Sequence, residues 1–175
     1  MEITTARLHI RDLIEEDTGP MHQLRTDPRV YRFNHFGPET AERTYRWIVN
    51  TMVYNQRPGR DSHNCAIVLH ATSQVIGWIG WGFDEEDQQQ AGDVGIGYAI
   101  LPQFWSQGFT TEALRGTLDF IFTTTATENA VAYCNVANVA SARVMEKTGM
   151  HFITRFFEPD ESSPDKVRIL SIYPA

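Results

Sequence analysis

The sequence predicts a single mixed α/β domain spanning residues 1–175, and three observations carry that prediction. Short alternating or continuous apolar runs of strand length are interspersed with longer segments of helical periodicity. Two of the runs, Val94–Ile100 and Ala130–Cys134, are joined through a helix, so they should be parallel with a right-handed crossover. With 175 residues, 42% of them hydrophobic, the chain is long enough to bury a core without disulfides or a structural metal.

In chain order, Arg7–Asp12 alternates like a strand, and Glu15–Arg25 is helical although Gly19-Pro20 interrupts it. Thr26–Pro38 is rich in turn formers with Tyr31, Phe33 and Phe36 between them, and reads as a loop packed over the body of the domain. Glu39–Tyr54 is a helix with Tyr45, Ile48, Val49 and Met52 on one face, ended by Arg57-Pro58-Gly59. Three strands follow, Asn64–His70, Val75–Phe83 and Val94–Ile100, and the acidic, amide-rich stretch Asp84–Gln90 joins the last two as a solvated tip. Thr110–Thr125 is a helix that packs Leu114, Leu118, Ile121 and Phe122, and Ala130–Cys134 is a short strand. Asn138 caps a further helix that stops at Gly149. His151–Phe157 and Val167–Tyr173 close the chain as two strands, making about seven strands and four helices.

Composition narrows the function. No apolar run is long enough to span a membrane, which needs roughly 18 residues, and the opening residues lack the layout of a signal peptide. Cys65 and Cys134 lie inside apolar runs, as buried thiols in a reducing cytoplasm do. A formal charge of -7 disfavours nucleic acid, which needs a basic face, and favours cationic substrates.

The stretch Asp93–Ala113 carries the chemistry. Alternation puts Asp93, Gly95, Gly97 and Ala99 on one strand face, nearly bare, where a helix, another backbone or a ligand can lie close. Pro102 stops the strand, and Trp105-Ser106-Gln107-Gly108 then opens directly into a helix. A helix start offers unpaired N–H groups and a positive dipole end, and a glycine lets the main chain approach an anion. Strand, turn and helix together make a natural diphosphate cradle.

This stretch resembles the cofactor motif of the GNAT acetyltransferases, in the branch of the RimJ/RimL-type ribosomal-protein N-terminal acetyltransferases. Gly95-Ile96-Gly97-Tyr98, Pro102 and Trp105-Ser106-Gln107-Gly108-Phe109-Thr110-Thr111-Glu112-Ala113 follow its E-I-G-Y strand and P-x-x-W-G-x-G-Y-A-T-E-A turn and helix. Asn138-Val139-Ala140-Ser141-Ala142-Arg143-Val144-Met145-Glu146-Lys147-Thr148-Gly149 is similar to its N-x-A-S-x-R-V-x-E-K-x-G segment, and Thr5–Arg11 to its T-E-R-L-x-L-R opening.

The resemblance implies a GNAT fold, with a mixed sheet splayed between the fourth and fifth strands, and acetyl-coenzyme A as donor. Its pantetheine arm would pair along Ala99, Ile100 and Leu101, with a backbone N–H near Ile100 polarising the thioester carbonyl. Its diphosphate would lie on Gln107, Gly108, Phe109 and Thr110, with Thr111 following in the same turn. Asn138 and Ser141 would face the cofactor from the other side. Three departures stand out: Ser106 replaces a glycine, Thr110 an alanine or glycine, and Gly95 the strand glutamate, for which Asp93 is the nearest replacement. The tyrosine that protonates the thiolate in many GNAT enzymes falls at Met145, so Ser141 becomes the donor, directly or through a water.

The chain lacks an obvious strong base, which bears on the acceptor. An α-amine with a pKa near 8 is about two powers of ten better deprotonated at neutral pH than a lysine near 10.4, worth roughly 3 kcal/mol. The expected reaction is therefore direct attack by a protein N-terminal α-amine or a small amine, with proximity supplying much of the acceleration. An aminoglycoside or polyamine acetyltransferase, or a coenzyme A-binding sensor without turnover, are the alternatives. Tyr31 and Phe33 are candidates for the acceptor pocket. His63, Cys65 and His70 do not share a strand face, so no metal is expected. A cytoplasmic monomer or homodimer completes the expectation.

Overall fold

The computed structural model describes residues 1–34, 36–83, 93–157 and 167–174. Its elements are β1 (Glu2–Thr4), β2 (Leu8–Asp12), α1 (Thr18–Thr26), α2 (Pro28–Tyr31), α3 (Ala41–Asn55), β3 (Ser62–Leu69), β4 (Val75–Gly82), β5 (Asp93–Ile100), α4 (Phe109–Thr124), β6 (Asn129–Asn135), α5 (Val139–Thr148), β7 (His151–Phe157) and β8 (Val167–Pro174). The Asp84–Gln90 tip and the turn between the last two strands lie outside the described residues.

The eight strands form one sheet in the order β1-β2-β3-β4-β5-β6-β8-β7. Every pair is antiparallel except β5–β6, which is parallel as the intervening helix requires. The strand added to the expected seven is β1, which pairs Ile3 with Ile10 and buries Ile3.

Alternation along the strands separates two cores. On one face Leu8, Ile10, Cys65, Ile67, Val94, Ile96 and Ile100 meet Leu114, Leu118 and Ile121 of α4 and Met145 of α5. On the other, Ala66, Val68, Val75 and Ala99 meet Met21 and Leu24 of α1 and Ile48 of α3.

Three local expectations change, each for a physical reason. Gly19-Pro20 does not interrupt α1, because Pro20 falls in its first turn, where no intrahelical N–H partner is needed. The Thr26–Pro38 loop contains the helical turn α2, with Pro28 at its first position and the Asp27 carboxylate accepting from the Arg29 N–H at 2.9 Å. The inward stripe of α3 is Thr44, Ile48 and Thr51, and Tyr45 faces solvent. Thr40 caps that helix by accepting from the Arg43 N–H, which frees Glu39 from the expected helix to pair with Arg25.

Candidate active site

Strands β5 and β6 pair only at Asp93–Asn129, Val94–Ala130 and Gly95–Val131. Beyond Gly95 they part. β5 stays on β4 as far as Ile100, opposite Gly77, while β6 follows β8 along its whole length. A wedge opens between two parallel strands toward their C-terminal ends.

One hydrogen bond tells which backbone groups face the wedge. The Leu101 N–H donates to the Ile76 carbonyl at 2.8 Å. Residues alternate across a strand, so Ala99 and Leu101 spend their main-chain groups on β4, and Ile96, Tyr98 and Ile100 turn theirs toward the wedge. Of the expected edge Ala99–Leu101, Ile100 alone presents its N–H and C=O there. The Trp105 indole N–H donates to the Ile100 carbonyl at 2.8 Å, leaving the Ile100 N–H directed into the opening.

Beyond the strand, the turn Pro102–Phe104 leads to Gly108, which stands in the left-handed region at φ 82 and immediately precedes α4. No side chain caps this helix, so the first-turn N–H groups of Phe109, Thr110 and Thr111 have no intrahelical acceptor. A Cβ on Gly108 would meet only Arg7 Nη2, at 3.5 Å. Glycine is therefore required by the backbone conformation rather than by space. Ser106, which replaces the resemblance's glycine, also sits at positive φ, 60. The Gln107 side chain folds back to donate to the Gln103 carbonyl at 2.9 Å, so only its main chain lines the turn.

Across the wedge, α5 begins at Val139. Asn138 spends its side-chain oxygen on capping it, accepting from the Ser141 N–H at 3.2 Å. Ser141 is half-buried, and its Oγ lies 3.0 Å from the phenol oxygen of Tyr98, which also donates to the Ser141 carbonyl at 3.2 Å. Alternation puts Tyr98 on the strand face opposite Gly97, with Val94, Ile96 and Ile100, and gives it no role. The available signal was a phenol in an aliphatic row, since a buried hydroxyl needs a partner. Burial raises the Tyr98 phenol above its ordinary value of 10.0 despite the bond to Ser141, so it stays protonated at neutral pH. Met145 is 1% exposed and sits in the core, where it offers no proton.

Asp93 does not join this group. It is buried at the closed end of the wedge and accepts from Asn129 Nδ2 at 2.9 Å. Five residues separate it from Tyr98, about 16 Å along a strand.

The opposite sheet face carries a pocket lined by Met21, Leu24, Arg25, Phe36, Trp47 and Trp78. The Trp78 indole lies over the small-residue face, where a Cβ on Gly97 would come within 3.3 Å of the ring, and its N–H donates to Asn64 Oδ1 at 3.0 Å. The indole covers this face at Gly97, while Ala99 packs with the residues of α1 and α3. Arg25 is stacked between Phe36 and Trp47, 4.5 Å from each ring, and forks onto Glu39 at 2.8 and 2.6 Å. Tyr31 packs its Cβ against Gly37, and Phe33 lies under the Arg32 guanidinium. The loop aromatic that reaches the pocket is Phe36.

The histidines and cysteines are held separately. His63 stacks on Trp81 at 4.5 Å, and burial with nearby Arg60 lowers it to about 4. His70 lies beyond the end of β3, near His9. Among the described residues no group of three or more His, Cys, Asp or Glu could hold a metal, and no helix is long and apolar enough to cross a membrane.

Comparison with known proteins agrees with this geometry. Residues 7–151 match the family model described as Acetyltransferase (GNAT) domain. The chain is 26% identical over 152 residues, 86% of this chain and 82% of its counterpart, to the uncharacterized N-acetyltransferase YnaD of Bacillus subtilis. Its fold is similar to a GNAT-family acetyltransferase from Bacillus anthracis, with TM-score 0.83, 23% identity and coverage of 99% and 98% of the two chains. It is also similar to a Salmonella typhimurium acetyltransferase that modifies the N-terminal serine of a 50S ribosomal subunit protein, with TM-score 0.84, 15% identity and coverage of 100% and 99%.

Proposed function

This chain belongs to the GNAT acetyltransferase family, whose members are acetyl-coenzyme A-dependent acyltransferases, and we propose that it acetylates an α-amine, that of a protein N-terminus or of a small molecule. The observation that carries the reading is the wedge between β5 and β6 beside the uncapped start of α4. A left-handed glycine, free first-turn amides and an exposed strand edge suit a diphosphate followed by a pantetheine arm. The diphosphate lies on the main chain of Gln107, Gly108, Phe109 and Thr110, with Thr111 ending the turn. The Ile100 N–H polarises the thioester carbonyl.

Acetyl-coenzyme A supplies the activated acetyl group. The amine nitrogen bonds to the carbonyl carbon and the C–S bond breaks. The leaving sulfur would take a proton through the Ser141 hydroxyl, which Tyr98 orients, and the proton shed by the new amide nitrogen would pass through water to restore that hydroxyl. Asn138 contributes by fixing the turn that carries Ser141. Asp93, held by Asn129 at the closed end, serves the sheet. An α-amine fits this site better than a lysine because about a tenth of it is neutral at pH 7, against well under 1% of a lysine. Phe36, Trp47 and Trp78 close tightly around Arg25 on the opposite sheet face, and an acceptor bound against them would have to part these rings.

Two measurements test the reading. Gly108→Glu places a carboxylate at the phosphates and is expected to abolish coenzyme A binding in calorimetry; unchanged affinity contradicts the cradle. Purified protein is offered peptides, aminoglycosides and polyamines, with thiol release and product mass recorded. Peptide-dependent release supports α-amine acetylation of proteins, release with aminoglycosides or polyamines alone moves the acceptor to those compounds, and binding without release from any amine contradicts turnover.

A further inference from the structure

The charge balance of the α4 start is set from the other end of the chain. Glu112 lies in the first turn of α4, where a carboxylate is attracted to the same positive end that would hold a diphosphate. Its oxygens are taken up by partners from the start of the chain. Oε1 accepts from the Thr5 hydroxyl and the Arg7 N–H, each at 2.7 Å, and Oε2 accepts from Arg7 Nε at 2.6 Å. The same guanidinium donates through Nη1 to the Gln107 carbonyl at 3.1 Å and lies 4.3 Å over the Phe109 ring. Its Nη2 is 3.5 Å from where a Cβ on Gly108 would stand. One side chain thus touches residues 107 and 109, lies beside the open side of Gly108 and pairs with the anion one turn into the helix, while remaining 47% exposed.

We propose that Arg7 is a positioning residue of the phosphate cradle, which neutralises Glu112 and holds the Gln107 carbonyl aside so that the turn accepts a dianion. This rests on the diphosphate reading above. With Arg7 removed, an unpaired carboxylate and a free carbonyl dipole share the helix start with the incoming phosphates. Binding of the phosphate-bearing part of the ligand should suffer, and binding of the pantetheine arm should not.

The test is calorimetry and NMR titration of the full chain with coenzyme A and with pantetheine, which lacks the diphosphate. Arg7→Ala is expected to weaken coenzyme A roughly tenfold, equivalent to about 1.4 kcal/mol, with pantetheine affinity unchanged. Adding Glu112→Gln is expected to recover most of the loss by removing the unpaired anion. Arg7→Lys, which keeps the charge without the fork, serves if the alanine variant does not fold, and is expected to lose less affinity than Arg7→Gln. Coenzyme A affinity unchanged in Arg7→Ala, an equal loss of both ligands, or no recovery in the double variant overturns the proposal. The cradle itself fails separately, when Gly108→Glu still binds coenzyme A normally.

Discussion

The phenol oxygen of Tyr98 stands 3.0 Å from Oγ of Ser141, joining β5 to the first turn of α5 across the opening where β5 and β6 no longer pair. Two neutral hydroxyls thereby meet beside the stretch of β5 that turns its amides into the wedge. Because burial keeps the phenol protonated, the pair can lend a proton to a leaving thiolate at neutral pH and needs no charged acid.

Loss of either hydroxyl should slow turnover without loosening the cofactor. Ser141→Ala is expected to lower kcat by about 10²-fold, the lower end of general-acid contributions, and Tyr98→Phe by less. The KM for acetyl-coenzyme A should change little in both. Steady-state kinetics check this; a rise in that KM matching the fall in kcat would reduce Ser141 to a binding residue.

Gly108→Ala separates backbone strain from charge. The added Cβ meets Arg7 at an ordinary 3.5 Å, but the φ of 82 is unfavourable for alanine. Chemical denaturation should show a loss of about 1–2 kcal/mol, with measurable coenzyme A binding retained.

The Arg25–Glu39 fork clips the loop that carries Phe36 onto the sheet. Both side chains are largely buried, at 14% and 5% exposure. Arg25→Ala leaves Glu39 uncompensated and should cost about 3–5 kcal/mol in denaturant unfolding. The hydrogen bond from Arg25 holds the Glu39 carboxyl below its ordinary value of 4.5, outweighing burial. Its contribution is therefore complete above pH 4.5 and fades as pH falls through the lower folded value. Glu39→Gln should flatten the loss of stability expected as pH falls below 4.5.

Phe36→Ala tests whether the acceptor binds against these rings. Removing a ring from the pocket without touching the wedge should raise the acceptor KM several-fold, within the roughly 1–3 kcal/mol range of apolar pocket contacts. Coenzyme A affinity should stay the same. An unchanged acceptor KM would put the acceptor elsewhere.

How much of this was legible beforehand follows from the range of each interaction. The strands, the parallel pair and the caps at Asn138 and Gly149 come from local periodicity and local backbone chemistry, and they appear where expected. The turn at Gly108 was legible for the same reason, since a glycine entering a helix is a local event. The Tyr98–Ser141 contact spans 43 residues and Arg7–Glu112 spans 105. No spacing rule reaches that far, so the sequence assigns no role to Tyr98 within its strand motif and shows Arg7 only as part of a strand and of the opening motif. Asp93 was chosen for its charge and its strand face, but only the register with Asn129 reveals that it sits at the closed end. Which loop aromatic turns toward Trp47 and Trp78 was not legible, because the short helix α2 and the Arg25 stack decide that it is Phe36.

A crystal structure with acetyl-coenzyme A bound tests the central claim most directly. The account predicts diphosphate oxygens within hydrogen-bond distance of the main-chain N–H groups from Gln107 to Thr110, and the thioester carbonyl on the Ile100 N–H between β5 and β6. Density for the ligand on another surface, with the wedge and the Gly108 turn left to solvent, would contradict it.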